Sequence, residues 1–177
     1  MQTSPQPLVV TPTVKRRLIS MVYEVFLLAA VEMFATLLFL LLTGNRQEPV
    51  YQHALKAYLF LVTGAYFVHF WTDSGHTLAM KTWRIKLVKV GYKKVPYATA
   101  VLRYLLAWGW VAPALAVCAV RDIHRWGEIA AVFAVGFAAW AMTALLDKDR
   151  QFLHDRLAGT RLISLPKPVK PIKPATK

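Results

Sequence analysis

Residues 18–42 read LISMVYEVFLLAAVEMFATLLFLLL. As a helix, these 25 residues reach ~38 Å, longer than the ~30 Å hydrocarbon core of a bilayer. The stretch is a membrane span that crosses with some tilt. Lys15, Arg16 and Arg17 stand at its entrance, and two carboxylates, Glu24 and Glu32, lie inside it. Placing a charge near the bilayer centre costs at least ~2.5 kcal/mol, so both acids need an explanation.

The whole chain supports this reading. It has 177 residues, is 56% hydrophobic and has a mean hydropathy of +0.40. That is too apolar for an ordinary soluble domain and suits a multi-spanning membrane protein. The net charge of +13 does not point to nucleic acid, because the charges fall in blocks between apolar runs, as topology-setting charges do. Cys118 is the only cysteine, so no intramolecular disulfide can form. The first apolar run is too long for a signal-peptide core and no small-residue cleavage site follows it; it reads as a retained span.

Four spans are expected, at about 18–42, 55–72, 98–120 and 128–146, between a Pro/Thr-rich tail (1–14) and a Pro/Lys-rich tail (165–177). Gly44 and Asn45 end the first span. Aromatics cluster near the ends of the second: Tyr58, Tyr66, Phe70 and Trp71. Pro113 should kink the third. The fourth is rich in alanine and contains Gly136, which lets helix backbones approach closely in lipid. Between spans two and three, Trp83, Ile85 and Leu87 alternate with Arg84, Lys86 and Val88, a strand period, and Gly91 marks a turn. A short surface β-hairpin is expected there, with a basic amphipathic helix over 77–90 as the alternative. Residues 160–165 (TRLISL) are a candidate additional strand.

Charge sets the expected orientation. Eighteen Lys and Arg residues fall before span one, between spans two and three, and after span four; the two opposite loops hold four. By the positive-inside rule both termini and the 73–103 segment are cytoplasmic.

Arg17 and Glu24 are seven residues apart, which puts them on one helix face with ~10 Å between them along the axis. Glu32 lies deeper, rotated by ~80° from Glu24. Two readings stand for each acid: a site that exchanges a proton or binds a cation, or a polar contact that holds helices together. His69, near the end of span two, can relay a proton or pair with Glu24, or simply anchor at the interface. His154-Asp155 suggests a capping or ion-pair role; sequence neighbours seldom point the same way, and no further His or Cys has metal-ligand spacing. Phosphate-loop, dinucleotide, zinc-protease and nucleophile-elbow motifs are missing, so neither an enzyme nor a cofactor or metal is expected. Residues 81–94 carry six basic side chains, which either contact anionic lipid or only enforce topology.

Four segments together resemble the RDD family of bacterial membrane proteins: RRLISMVYE at 16–24, GHTLAMKTWRIKLV at 75–88, VLRYLL at 101–106 and HDRLAGT at 154–160. The family is named for an arginine opening the first helix, an aspartate within it and a later aspartate. Arg17 matches the arginine, Glu24 stands at the first aspartate position with one more methylene, and Asp155 matches the second. The resemblance covers about residues 15–164. It implies a multi-pass protein of the bacterial inner membrane and, from the antiport connected with some members, cation or proton transport.

The expected fold is therefore an all-α bundle of four transmembrane helices with a small cytoplasmic β-element. Arg17, Glu24, Arg103 and Asp155 are expected to approach one another near the cytoplasmic boundary, where opposite charges offset each other's desolvation. Glu24, Glu32 and His69 are the candidate proton or cation site. The rival function is a non-transporting scaffold that binds partners or anionic lipid through the basic face. A homo-oligomer, joined through span four, is a further expectation.

Overall fold

The computed structural model describes residues 10–147 and 150–166. Its first helix, α1 (Val14–Thr43), starts four residues before the apolar stretch, so Lys15, Arg16 and Arg17 form its first turn. Thr13 caps it by accepting from the Arg16 N–H, and Gly44, at φ 67°, closes it in the left-handed region that glycine tolerates. The second helix, α2 (Pro49–Asp73), begins at a proline whose missing N–H costs nothing in a first turn.

The third span is broken. α4 (Tyr97–Ala107) and α5 (Val111–Val120) are joined by a 3-10 turn at Trp108–Trp110. Pro113 has no N–H to give the carbonyl four residues back, at Gly109, and the backbone tightens there. The fourth span is α6 (Trp126–Leu146). All four spans are long and apolar enough to cross a membrane. Large apolar side chains of α1, among them Phe26, Met33, Phe34 and Leu41, are exposed. Water would penalise each by about 1.5–3 kcal/mol; lipid does not.

The remaining elements gather at the end of the bundle where α1 begins. A short helix, α3 (Leu78–Thr82), precedes strand β1 (Ile85–Lys89); helix α7 (Leu153–Leu157) precedes strand β2 (Thr160–Ser164). β1 does not form the expected hairpin with the residues after Gly91. It pairs antiparallel with β2, in the register Ile85↔Ser164, Leu87↔Leu162, Lys89↔Thr160. Gly91 does make a turn, with the Tyr92 N–H on the Lys89 carbonyl, but the chain then leads into α4. Nor is 77–90 one amphipathic helix, since only its first turn is helical. Two flanking segments extend the sheet: the Ser164 N–H donates to the Val10 carbonyl at 2.7 Å and the Leu165 N–H to the Arg84 carbonyl at 2.8 Å. Residues 1–9 and 167–177 of the expected tails lie outside the described residues. Residues 10–13 and 165 belong to the folded body, and Pro12 is buried.

Two apolar cores hold this end together. Val68 and Trp71 of α2 pack with Ile85 and Leu87 of β1, Tyr104 of α4 and Leu162 of β2. Trp140 and Ala144 of α6 pack with Phe152 and with Val14, Leu18 and Met21 of α1. Two glycines set close approaches. A Cβ on Gly64 would stand 2.9 Å from the Tyr104 ring, so α2 and α4 meet only because that side chain is absent. Gly75 has φ 78°, and a Cβ there would lie 2.7 Å from the Leu87 carbonyl oxygen. Its own carbonyl accepts from the Leu87 N–H, which docks β1 beneath α2.

Candidate functional site

A partly open cavity of about 430 Å³ lies between α1, α2, α4 and α6. Its walls are mostly apolar, and Arg17, Glu24, Glu32, Arg103 and His154 all line it. The polar side chains sort into two settings.

The first surrounds Asp155. This residue is fully buried at the start of α7, and Arg103 of α4 donates to its Oδ1 through Nε at 2.8 Å and Nη2 at 2.7 Å. The Arg103 guanidinium also lies 4.1 Å above the Trp71 ring, which interacts favourably with a desolvated cation. His154 does not turn away from its neighbour, as adjacent residues usually do. Both side chains point inward, with His154 Nε2 3.4 Å from Asp155 Oδ1. The imidazole, Phe152 and Trp140 form a near-parallel group, Phe152 and His154 lying 4.5 and 5.2 Å from Trp140. Burial pushes the His154 imidazole down to about 4, against the weaker pull of Asp155. It is neutral at pH 7. Burial alone would raise the Asp155 carboxyl, but Arg103, with His154 and Arg17, outweighs it and holds the group below its usual range.

Arg17 joins this setting from α1. Its side chain is buried, its guanidinium lies 4.6 Å above the Phe152 ring, and one Nη donates to the Arg150 carbonyl. Among the described residues its Nε and Nη1 have no hydrogen-bond partner.

The second setting belongs to the two glutamates. Glu24 accepts from Tyr66 Oη at 2.6 Å and from the Thr77 hydroxyl. Thr77 caps α3 by accepting from the Met80 N–H, so the same hydroxyl starts a helix and fixes a carboxylate. Just over two turns along α1, Glu32 accepts from Thr63 at 2.8 Å. Both acids are thus held against α2 by hydroxyls. Among the described residues neither has a cation within ion-pair distance.

Of the four residues expected to cluster, Arg103 and Asp155 form a buried ion pair, and Arg17 stands beside them with electrostatic reach to Asp155. Glu24 shares their cavity but binds hydroxyls. His69 is apart: it is exposed on α2 with its ring against Phe70, and Tyr66, one turn earlier, takes the place beside Glu24. Among the described residues no three His, Cys, Asp or Glu side chains are grouped to hold a metal.

Several contributors were not evident from sequence. Tyr66 and Trp71 were expected as interface aromatics, and Trp140 and Phe152 had no assigned role. Thr77 had a signal, its place in the GHT segment. Arg16 ties α1 to the sheet by donating to Ser164 Oγ at 2.9 Å and to the Trp83 carbonyl. Gln151 serves as a one-residue partner for β2: its side-chain oxygen accepts from the Leu162 N–H at 3.1 Å.

The GHT, Leu-Arg and HDRLAGT segments therefore meet around one cavity, each supplying a polar contact. Comparison with curated proteins and with solved structures gave no match. The RDD family profile matches residues 11–159, the greater part of the chain, and this multi-pass membrane protein belongs to the RDD family.

Proposed function

We propose that the protein carries a proton or a small cation across the cell membrane by way of Glu24 and Glu32. The observation that carries this reading is that both acids line one cavity and face it from a single helix, each oriented by a hydroxyl on the far side. A carboxylate kept free of a fixed cation is available to a mobile one. Four helices enclose a narrow space, so the path is completed by a second copy, joined through the small-residue face of α6. The charge asymmetry puts both termini and the β1–β2 sheet on the cytoplasmic side. The membrane domain spans about 15–164, and it works without an enzymatic step.

The test is flux. Purified protein in proteoliposomes should dissipate an imposed proton or sodium gradient. Glu24→Gln and Glu32→Gln should each reduce the rate at least tenfold. Flux that is absent under every gradient, or indifferent to both substitutions, refutes transport.

One observation favours the scaffold reading. Lys86, Lys89, Lys93 and Lys94 surround a shallow cleft of about 210 Å³ beside Gly75, outside the span region. Within residues 81–94 this surface can meet anionic lipid or an acidic partner. Co-sedimentation with phosphatidylglycerol vesicles, lost when these lysines become glutamine, is the corresponding measurement.

A further inference from the structure

We propose that Arg17 is an oxyanion-binding residue, and that the cavity takes an amphiphilic acid whose carboxylate or phosphate meets the guanidinium while its chain lies along the α1–α6 side. This goes beyond the transport reading and does not depend on it.

Arg17 is 2% exposed and lines the cavity. A guanidinium has five N–H donors and is always charged. One Nη donates to the Arg150 carbonyl, while Nε and Nη1 have no partner among the described residues. Each of these nitrogens has an N–H open to an oxygen of a carboxylate or phosphate. Asp155 and Asp147 act on Arg17 through space, but neither accepts a hydrogen bond from its Nε or Nη1. His154 is neutral at pH 7. A buried donor without an acceptor is costly, and the oxygens of an incoming anion remove that cost.

The walls define the rest of the ligand. Met21, Val25, Trp110, Val111 and Trp140 give the cavity an apolar wall suited to a hydrocarbon chain. Glu24 and Glu32 are engaged by the hydroxyls of Tyr66, Thr77 and Thr63. The volume of about 430 Å³ lies within the ~300–1,000 Å³ of small-molecule sites.

The site can be tested in phosphatidylcholine nanodiscs by titrating decanoate, decanol and inorganic phosphate while recording tryptophan fluorescence. Four tryptophans line the cavity: Trp71, Trp108, Trp110 and Trp140. Decanoate should saturate, with decanol and phosphate at least tenfold weaker. Arg17→Gln should weaken decanoate at least tenfold, and Arg17→Lys, which keeps the charge but loses the planar set of donors, should fall between. If Arg17→Gln does not fold, the three titrations of the natural protein still decide. Equal binding of decanol and decanoate, or no saturable signal, overturns the proposal; phosphate binding as tightly as decanoate overturns its amphiphilic part. Nanodiscs containing phosphatidylglycerol separate the sources. Competition with decanoate would assign the site to a lipid headgroup, and unchanged decanoate binding to a free acid. Neither result bears on flux through Glu24 and Glu32.

Discussion

Replacing Asp155 by Asn should cost this protein a large part of its stability. Asn keeps the shape of the side chain and removes its charge, leaving Arg103 without its counter-ion. The pair is dry, with the Arg103 side chain 8% and the Asp155 side chain 0% exposed. Removing one partner of such a pair costs about 3–5 kcal/mol. Trp71 still covers the guanidinium face at 4.1 Å, which retains ~2 kcal/mol of cation–π attraction and sets the loss near the lower figure. About 3 kcal/mol lowers the folded-to-unfolded ratio more than a hundredfold. Arg103→Met should also destabilise, because Asp155 is then the orphan. The double variant should recover much of both losses, since neither member of the pair is left without its partner. The measurement is unfolding in mixed micelles with increasing dodecyl sulfate, read by tryptophan fluorescence. A loss below ~1 kcal/mol for Asp155→Asn, or single losses that simply add in the double variant, would refute the reasoning.

Two further outcomes follow from local geometry. His154 is held at about 4 in the folded protein against ~6.5 unfolded. The unfolded chain therefore gains a proton first as pH falls. Stability should be level above pH ~6.5 and decline between ~6.5 and 4 by about 3 kcal/mol at most. Asp155, held below its usual range, adds a further loss only below pH ~4. His154→Gln should remove the upper part of the decline in a pH series of thermal unfolding, and a decline that persists would assign it elsewhere. Gly64→Ala should destabilise by about 1–2 kcal/mol, because the added Cβ meets the packed Tyr104 ring at 2.9 Å and overpacking outweighs the gain in helix propensity. Gly136→Ala is the control: its Cβ would make an ordinary 3.7 Å contact with Ala114, and it should be neutral or slightly stabilising in the same assay.

The spans were legible because hydropathy is a local signal and every 20-residue apolar run declares itself. The strand at Ile85–Lys89 was legible from its alternation. Its partner was not, because pairing depends on residues 160–164, some 75 positions away, and the turn at Gly91 suggested a nearer partner that β1 does not take. At the site, opposite charges were expected to find one another. Arg103 and Asp155 do. Glu24 is served by hydroxyls of Tyr66 and Thr77 instead, and sequence periodicity on α1 gives no information about which residues α2 and α3 bring against it. The faces of Trp71 and Phe152 cover the two buried guanidinium groups, a pairing that only the packing of distant segments brings about.

The sheet has a consequence for the order in which the protein can be completed. β1 emerges from synthesis well before β2, and residues 10, 84 and 164–165 are joined by backbone hydrogen bonds only when the last of them is present. Until then β1 has an open edge, Arg103 lacks Asp155, and Arg16 and Arg17 lack their partners on 150–164. All four spans can insert while this end is still unsealed. The closing act is the arrival of residues 150–165, which turns four inserted helices into one clasped body. A chain that stops short of that segment would be fully in the membrane yet unfinished, with buried-type charges exposed at its surface for a protease to find.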